Sequence, residues 1–195
     1  MERTSVSPPP LRIGNVVVDP PLVLAPMAGV TDQVYRSVMA DHGIGLAVTE
    51  MVSIQGVVRN QAETWDLCRQ NVPLGVPLSV QIFGSEPEAM AEAARLMEAE
   101  GAAIIDINAG CPVKKVVKSG SGACLLKNPD ALAYLVEAAK KAVSVPVTVK
   151  VRLGWDNASR NVVEVARRLE SAGADAIAVH GRTAVQFYGG QADWS

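Results

Sequence analysis

The 195-residue sequence predicts an α/β protein, an incomplete TIM (β/α)8 barrel with about six of its eight βα units present. Short β-like runs alternate with helical patterns, which is the grammar of a parallel sheet. The pattern also repeats. "PLSVQIFG" (77–84) is matched by "PVTVKVRLG" (146–154), and "MEAEGAAIIDIN" (97–108) by "LESAGADAIAVH" (169–180), so a βαβα unit recurs after about 70 residues. A doubly wound sheet is the alternative, but no GxGxxG follows the first strand.

Residues 1–10 read as a disordered tail and 11–195 as the barrel. "LRIGNVVVD" predicts a short hairpin about Gly14-Asn15. Strand-like runs follow at 20–29, 44–51, 76–85, 102–112, 145–154 and 174–182. Thr31-Asp32 reads as a helix cap after the first run. After the third, Ser85 reads as an N-cap with Pro87 in the first turn, Met90, Ala94 and Met97 on one face, and a stop at Gly101. Asn128 and Pro129 open another helix, whose Leu132, Leu135, Val136 and Ala139 share a face. A third helix is expected from about Ala158 to Ala172 with Val162, Ala166 and Leu169 inward.

Period-two alternation sorts the strand faces. Val147, Val149, Val151, Ile105, Ile107, Ile177 and Val179 should face the helices, leaving Ser79, Gln81, Asp106, Asn108, Thr148, Lys150, Arg152 and His180 on the barrel axis. Four strands would then converge polar groups on the mouth where barrel enzymes do chemistry.

No apolar run approaches the roughly 20 residues of a membrane span, and the N-terminus has no signal-like segment, so no membrane partner and a cytoplasmic location are expected. Three cysteines (Cys68, Cys111, Cys124) at irregular spacing and two histidines argue against disulfides and a metal site, leaving free thiols. Charge is uneven. Residues 1–110 carry 6 basic against 13 acidic residues, whereas 111–195 carry 12 against 7, and Lys114, Lys115, Lys118 and Lys127 precede the next acid, Asp130. A polyanion such as RNA and a solvated lysine loop both accommodate that cluster.

The segments "APMAGVTD" (25–32), "QIFGS" (81–85), "NAGCPVKKV" (108–116), "GSGACLLKNP" (120–129), "TVKVRLGW" (148–155) and "VHGRTAVQFYGGQADW" (179–194) together resemble the tRNA-dihydrouridine synthases, bacterial type, over about residues 11–195. The resemblance implies FMN at the barrel mouth, reduced by NADPH, and tRNA as the substrate whose uridine accepts hydride at C6 and a proton at C5. It implies flavin contacts from Pro26, Met27, Ala28, Gln81, Lys150 and His180, substrate contacts from Asn108, Arg152 and, more weakly, Arg182, and Cys111 as the general acid. A thiol is neutral at neutral pH and can deliver a proton to carbon. Cys124 and Cys68 are expected to pack. "VKKVVKSGSG" is expected to be a mobile loop able to close over a base. The family's remaining βα units, with a flavin phosphate site, and its C-terminal helical domain would lie beyond Ser195, and the full-length protein is expected to be a monomer. Two other readings remain: an FMN barrel acting on a small molecule, of the dihydroorotate type, and a noncatalytic RNA-binding fragment.

Overall fold

The computed structural model describes residues 8–70 and 74–195, so most of the expected N-terminal tail lies outside the described residues. The expected hairpin is present as β1 (Leu11–Ile13) and β2 (Val16–Val18), paired antiparallel, with Gly14 at φ 56° in the left-handed turn.

The remaining strands form one parallel sheet. β3 (Ala47–Val48) and β4 (Val52–Ser53) both pair β5 (Leu78–Phe83), which is followed by β6 (Ile104–Ala109), β7 (Val147–Arg152) and β8 (Ala176–His180). From β5 onward each strand lies beside its predecessor in sequence. A doubly wound sheet reverses direction partway, whereas sequential parallel neighbours are the order of a curling barrel wall, so the chain is α/β with part of a TIM barrel.

The run at 20–29 is reduced from a strand to a single bridge, Val23 to Leu46. Pro20, Pro21 and Pro26 remove the amide donors a ladder needs, although the segment still lies alongside β3 through the Leu24 N–H to Leu46 carbonyl bond of 3.0 Å. Likewise the run at 44–51 forms a ladder with β5 only at Ala47–Val48 before β4 resumes contact.

The helices cover one face of the sheet. α1 (Gln33–Asp41) starts at Asp32, whose carboxylate accepts from the Tyr35 N–H at 2.8 Å. α2 (Ile54–Val58) and α3 (Ala62–Cys68) follow β4. α4 (Pro87–Ala99) buries Met90, Ala94 and Met97 as expected, but its N-cap is Glu86. Ser85 is drawn away, donating to the Ser119 carbonyl at 3.0 Å. α6 (Pro129–Ala142) has Asn128 as cap and buries Leu132, Leu135, Val136 and Ala139.

Two expectations change. "VKKVVKSGSG" is not a loop: residues Lys114–Lys118 form the short helix α5, anchored by buried Val116, and Gly122–Lys127 continue as a 3₁₀ turn. α7 spans Val162–Ser171, shorter than Ala158–Ala172, because Asp156 caps a separate 3₁₀ turn at Asn157–Ser159. Its buried positions are Val165 and Leu169, with Ala166 half-buried.

The pleat sorts the faces as the alternation predicts. Ile105, Ile107, Val147, Val149 and Val151 join the core with α4 and α6, while Ser79, Gln81, Asp106, Asn108, Thr148 and Arg152 are buried on the other side. β8 pairs only β7 among the described residues, and Val179, expected under helices, is 47% exposed. Because Ile107 is fully buried mid-sheet, Ile107→Ala should lower unfolding free energy by about 2–5 kcal/mol, measured by chemical denaturation.

Candidate functional site

At the C-terminal ends of the strands lies a cavity of about 580 Å³. Its walls bring together Pro26, Met27 and Ala28 from the first βα turn, Gln81 from β5, Asn108 from β6, Cys111 after it, Lys150 and Arg152 from β7, and His180 from β8. All the cofactor, substrate and acid residues that the resemblance implies meet there except Arg182, which lies outside the lining. Its guanidinium instead donates to the Gly189 and Gly190 carbonyls at 3.2 and 3.0 Å and lies 3.1 Å from His180 Nε2.

A continuous polar chain runs beneath the cavity. Thr148 Oγ1 and Gln81 Nε2 each donate to the Asp106 carboxylate at 2.6 Å. Asn108 Nδ2 donates to Gln81 Oε1 at 2.8 Å, and Asn108 Oδ1 accepts from the Gly110 and Cys111 N–H groups at 3.2 and 2.9 Å. The Cys111 loop is held from two further sides. Arg152 Nε donates to the Gly110 carbonyl at 2.8 Å, and the Ala123 N–H donates to the Cys111 carbonyl at 2.9 Å.

Arg152 is therefore engaged as a brace. Besides Gly110, its Nη1 donates to the carbonyls of Thr183 at 3.0 Å and Phe187 at 2.7 Å, and its guanidinium carbon lies 5.7 Å from the Tyr188 ring centre. Lys150, by contrast, makes no ion pair within 4.0 Å among the described residues. Burial pushes its pKa down, opposed by Asp106; burial pushes the Asp106 carboxyl up, opposed by its two donors and by Lys150. His180 is pushed down to about 4, first by burial and then by the charges of Arg152, Lys150 and Arg182. It is neutral at physiological pH, so its ring can accept a hydrogen bond on one nitrogen.

Sequence reasoning passed over Glu50, Arg36, Met51 and Tyr188. Glu50 is buried and accepts from the Gly29 N–H, which fixes the turn carrying Met27 and Ala28. Arg36, fully buried, donates from Nη1 to the Thr31 carbonyl at 2.7 Å and from Nη2 to the Arg69 carbonyl at 2.9 Å. Met51 and Tyr188 line the cavity. A lone acid ending the apolar run "IGLAVTEM" was the available signal for Glu50, whereas nothing in the helical pattern marked Arg36 as buried. Of the other thiols, Cys68 is buried in the core with its pKa raised to about 11 by desolvation, while Cys124 is half-buried and stands outside the core cluster.

Fold and site define a TIM-barrel protein with a candidate functional cavity at the C-terminal mouth of the sheet, lined by a thiol, a lysine and a neutral histidine. The chain belongs to the dihydrouridine synthase (Dus) family, whose family model matches residues 23–195. It is 46% identical over 184 residues to the probable tRNA-dihydrouridine synthase of Rhodobacter capsulatus, covering 94% of this chain and 57% of that protein. It is 49% identical over 173 residues to the probable tRNA-dihydrouridine synthase of Rhizobium leguminosarum (89% and 54%), and 42% identical over 184 residues to tRNA-dihydrouridine synthase B of Vibrio cholerae (94% and 57%). The chain thus spans a little over half the length of these curated relatives.

The depressed histidine makes stability depend on pH with a definite sign. Between about 4 and the ordinary value of 6.5 the unfolded chain binds more protons at this residue than the folded one, so stability should rise as pH climbs through that window. Urea midpoints measured from pH 4 to 7 should show a smaller rise in His180→Gln than in the parent.

Proposed function

We propose that this protein reduces uridine to 5,6-dihydrouridine in tRNA, with FMN in the mouth cavity, NADPH as reductant and Cys111 as the general acid. The observation that carries this reading is the placement of a half-buried thiol on a loop braced from three sides, in the same cavity as a half-buried lysine without an ion pair among the described residues, in a chain of the Dus family.

The residues present suit FMN. The cavity has the volume of a small-cofactor site, and the Ala25–Ala28 segment offers it a wall of small and apolar groups. Gln81 keeps one N–H and one lone pair beyond those spent on Asp106 and Asn108, which suits a pyrimidine edge. Lys150 places positive charge where an electron-rich ring would need it, and neutral His180 adds a polar contact. Bound FMN would supply the hydride that arrives at C6 of the uracil. Cys111 then gives its proton to C5, where negative charge develops, leaving a thiolate in the cavity that Lys150 and Arg152 also line. Asn108 and Arg152 act here chiefly through the loop they hold; the substrate base approaches over that loop.

Charge beside the mouth favours a nucleic acid over a small molecule. Lys114, Lys115 and Lys118 project from α5 and are exposed, Lys127 stacks 3.5 Å from the Trp155 ring centre, and none of the four has an ion pair among the described residues. Lys140 and Lys141, on α6, are both paired with acids. Unneutralised lysines beside a thiol suit a phosphate backbone whose target base has been turned out of its stack.

Cys111→Ala should slow single-turnover uridine reduction in tRNA by about 10²–10⁴-fold while NADPH-dependent flavin reduction stays near normal, because that half-reaction needs no proton for the base. Wild-type speed in the variant would mean that another group protonates C5. Replacing Lys114, Lys115 and Lys118 together by alanine should weaken tRNA binding and reduce the slope of log affinity against log salt by roughly 2 to 3, read from filter binding at several salt concentrations. An unchanged slope would remove α5 from the RNA contact.

A further inference from the structure

The polar chain beneath the cavity has fixed polarity at both ends. At one end Asp106, buried, presents a carboxylate oxygen that accepts from Gln81 Nε2 at 2.6 Å. At the other end the Gly110 and Cys111 N–H groups can only donate, and they meet Asn108 Oδ1 at 3.2 and 2.9 Å. Between them stand two amides, Gln81 and Asn108, linked by a 2.8 Å bond from Asn108 Nδ2 to Gln81 Oε1. An amide can face either way, but with an acceptor at one end and donors at the other only one pair of orientations satisfies every member. Gln81 and Asn108 are both buried, so water does not readily replace a lost partner.

We propose that Asp106 is the positioning residue for the Cys111 loop: its carboxylate sets the direction of the Gln81 amide, which sets the direction of Asn108, which aims an acceptor at the Cys111 N–H. Asp106 reaches Cys111 through two intervening side chains and touches no reacting atom. Thr148 Oγ1, donating to the other carboxylate oxygen at 2.6 Å, holds Asp106 in place from β7. Four side chains on three adjacent strands therefore act as one unit, and the same unit decides which atoms of Gln81 are left for a ligand in the cavity. The value of this for catalysis rests on Cys111 being the acid; the polarity itself does not.

The chain makes an unusual mutational forecast. Asn108→Asp alone puts an acceptor against Gln81 Oε1; Gln81 cannot turn to relieve it without setting that oxygen against Asp106. The side chain at 108 should then swing away and the Cys111 N–H lose its partner. Adding Asp106→Asn reverses the whole chain: the new amide donates to Gln81 Oε1, Gln81 Nε2 donates to the new carboxylate at 108, and that carboxylate still accepts from the Cys111 N–H. Thr148 continues to donate to the oxygen at 106, and the total charge is unchanged.

The test is amide hydrogen exchange at Cys111 in the purified protein, with no tRNA or NADPH added, for the parent, N108D, D106N and D106N/N108D. Protection at Cys111 should fall by about tenfold or more in N108D and return to within about threefold of the parent in the double variant. A double variant no better protected than N108D, or an N108D that keeps full protection, overturns the proposal. If N108D is too unstable to measure, a folded and protected double variant supports it and an unfolded one overturns it. Because the assay uses no turnover, its failure is separate from that of Cys111 as acid, which the alanine variant alone decides.

Discussion

Burial of polar side chains on the inner face of the sheet obliges them to satisfy one another, and the centre of that obligation is the carboxylate of Asp106. It sits on β6 with β5 and β7 on either side, and it takes a donor from each, Gln81 and Thr148. Left unpaired, a buried polar group costs about 1–3 kcal/mol, and a buried charge costs more. Lys150, two residues along β7 from Thr148, offsets part of that cost through space without a close ion pair. Directly above it the same network ends on the backbone of the Cys111 loop, so the requirement that satisfies the floor of the cavity also fixes its rim.

Arginine and lysine divide the remaining work in opposite ways. Arg36, Arg152 and Arg182 each spend their guanidinium groups on backbone carbonyls: Thr31 and Arg69, then Gly110, Thr183 and Phe187, then Gly189 and Gly190. A planar fork with several fixed donors can join segments distant in sequence, which an ammonium does less well. The loops after the 20–29 segment, after β6 and after β8 are thereby held against the sheet. The lysines of α5, by contrast, are exposed without ion pairs among the described residues, so unneutralised charge lies beside the mouth while the arginines that hold its loops are already engaged.

The element types were largely legible because their signals are local. Alternation in "VTVKVR" and "IIDINA" separates core from axis at a period that only a strand satisfies, and Asn128-Pro129 and Asp32 announce helix starts by cap chemistry. Where a local signal had a long-range competitor it misled. Ser85 has the chemistry of an N-cap, yet a carbonyl 34 residues away takes its hydroxyl. "VKKVVKSGSG" has the composition of a loop, yet Val116 finds a place in the core and draws Lys114–Lys118 into a helix.

For the site, residue types at the strand ends named the cavity lining: Gln81, Asn108, Lys150 and His180 follow from alternation once the barrel is assumed, and Cys111 follows from its place after β6. The sequence by itself therefore determined which residues face the axis, because the strand pleat has a period of two wherever a strand forms. What only the tertiary structure decided is what each of those residues is free to do. Arg152 and Arg182 looked alike as cations near the mouth, but one is engaged by carbonyls inside the cavity wall and the other by a turn outside it. Gln81 and Asn108 looked like independent contacts, but they form a single directed chain from Asp106 to Cys111. Hydrogen-bond partners of buried groups are chosen from residues tens of positions apart in sequence, and a spacing rule along one strand carries no information about them.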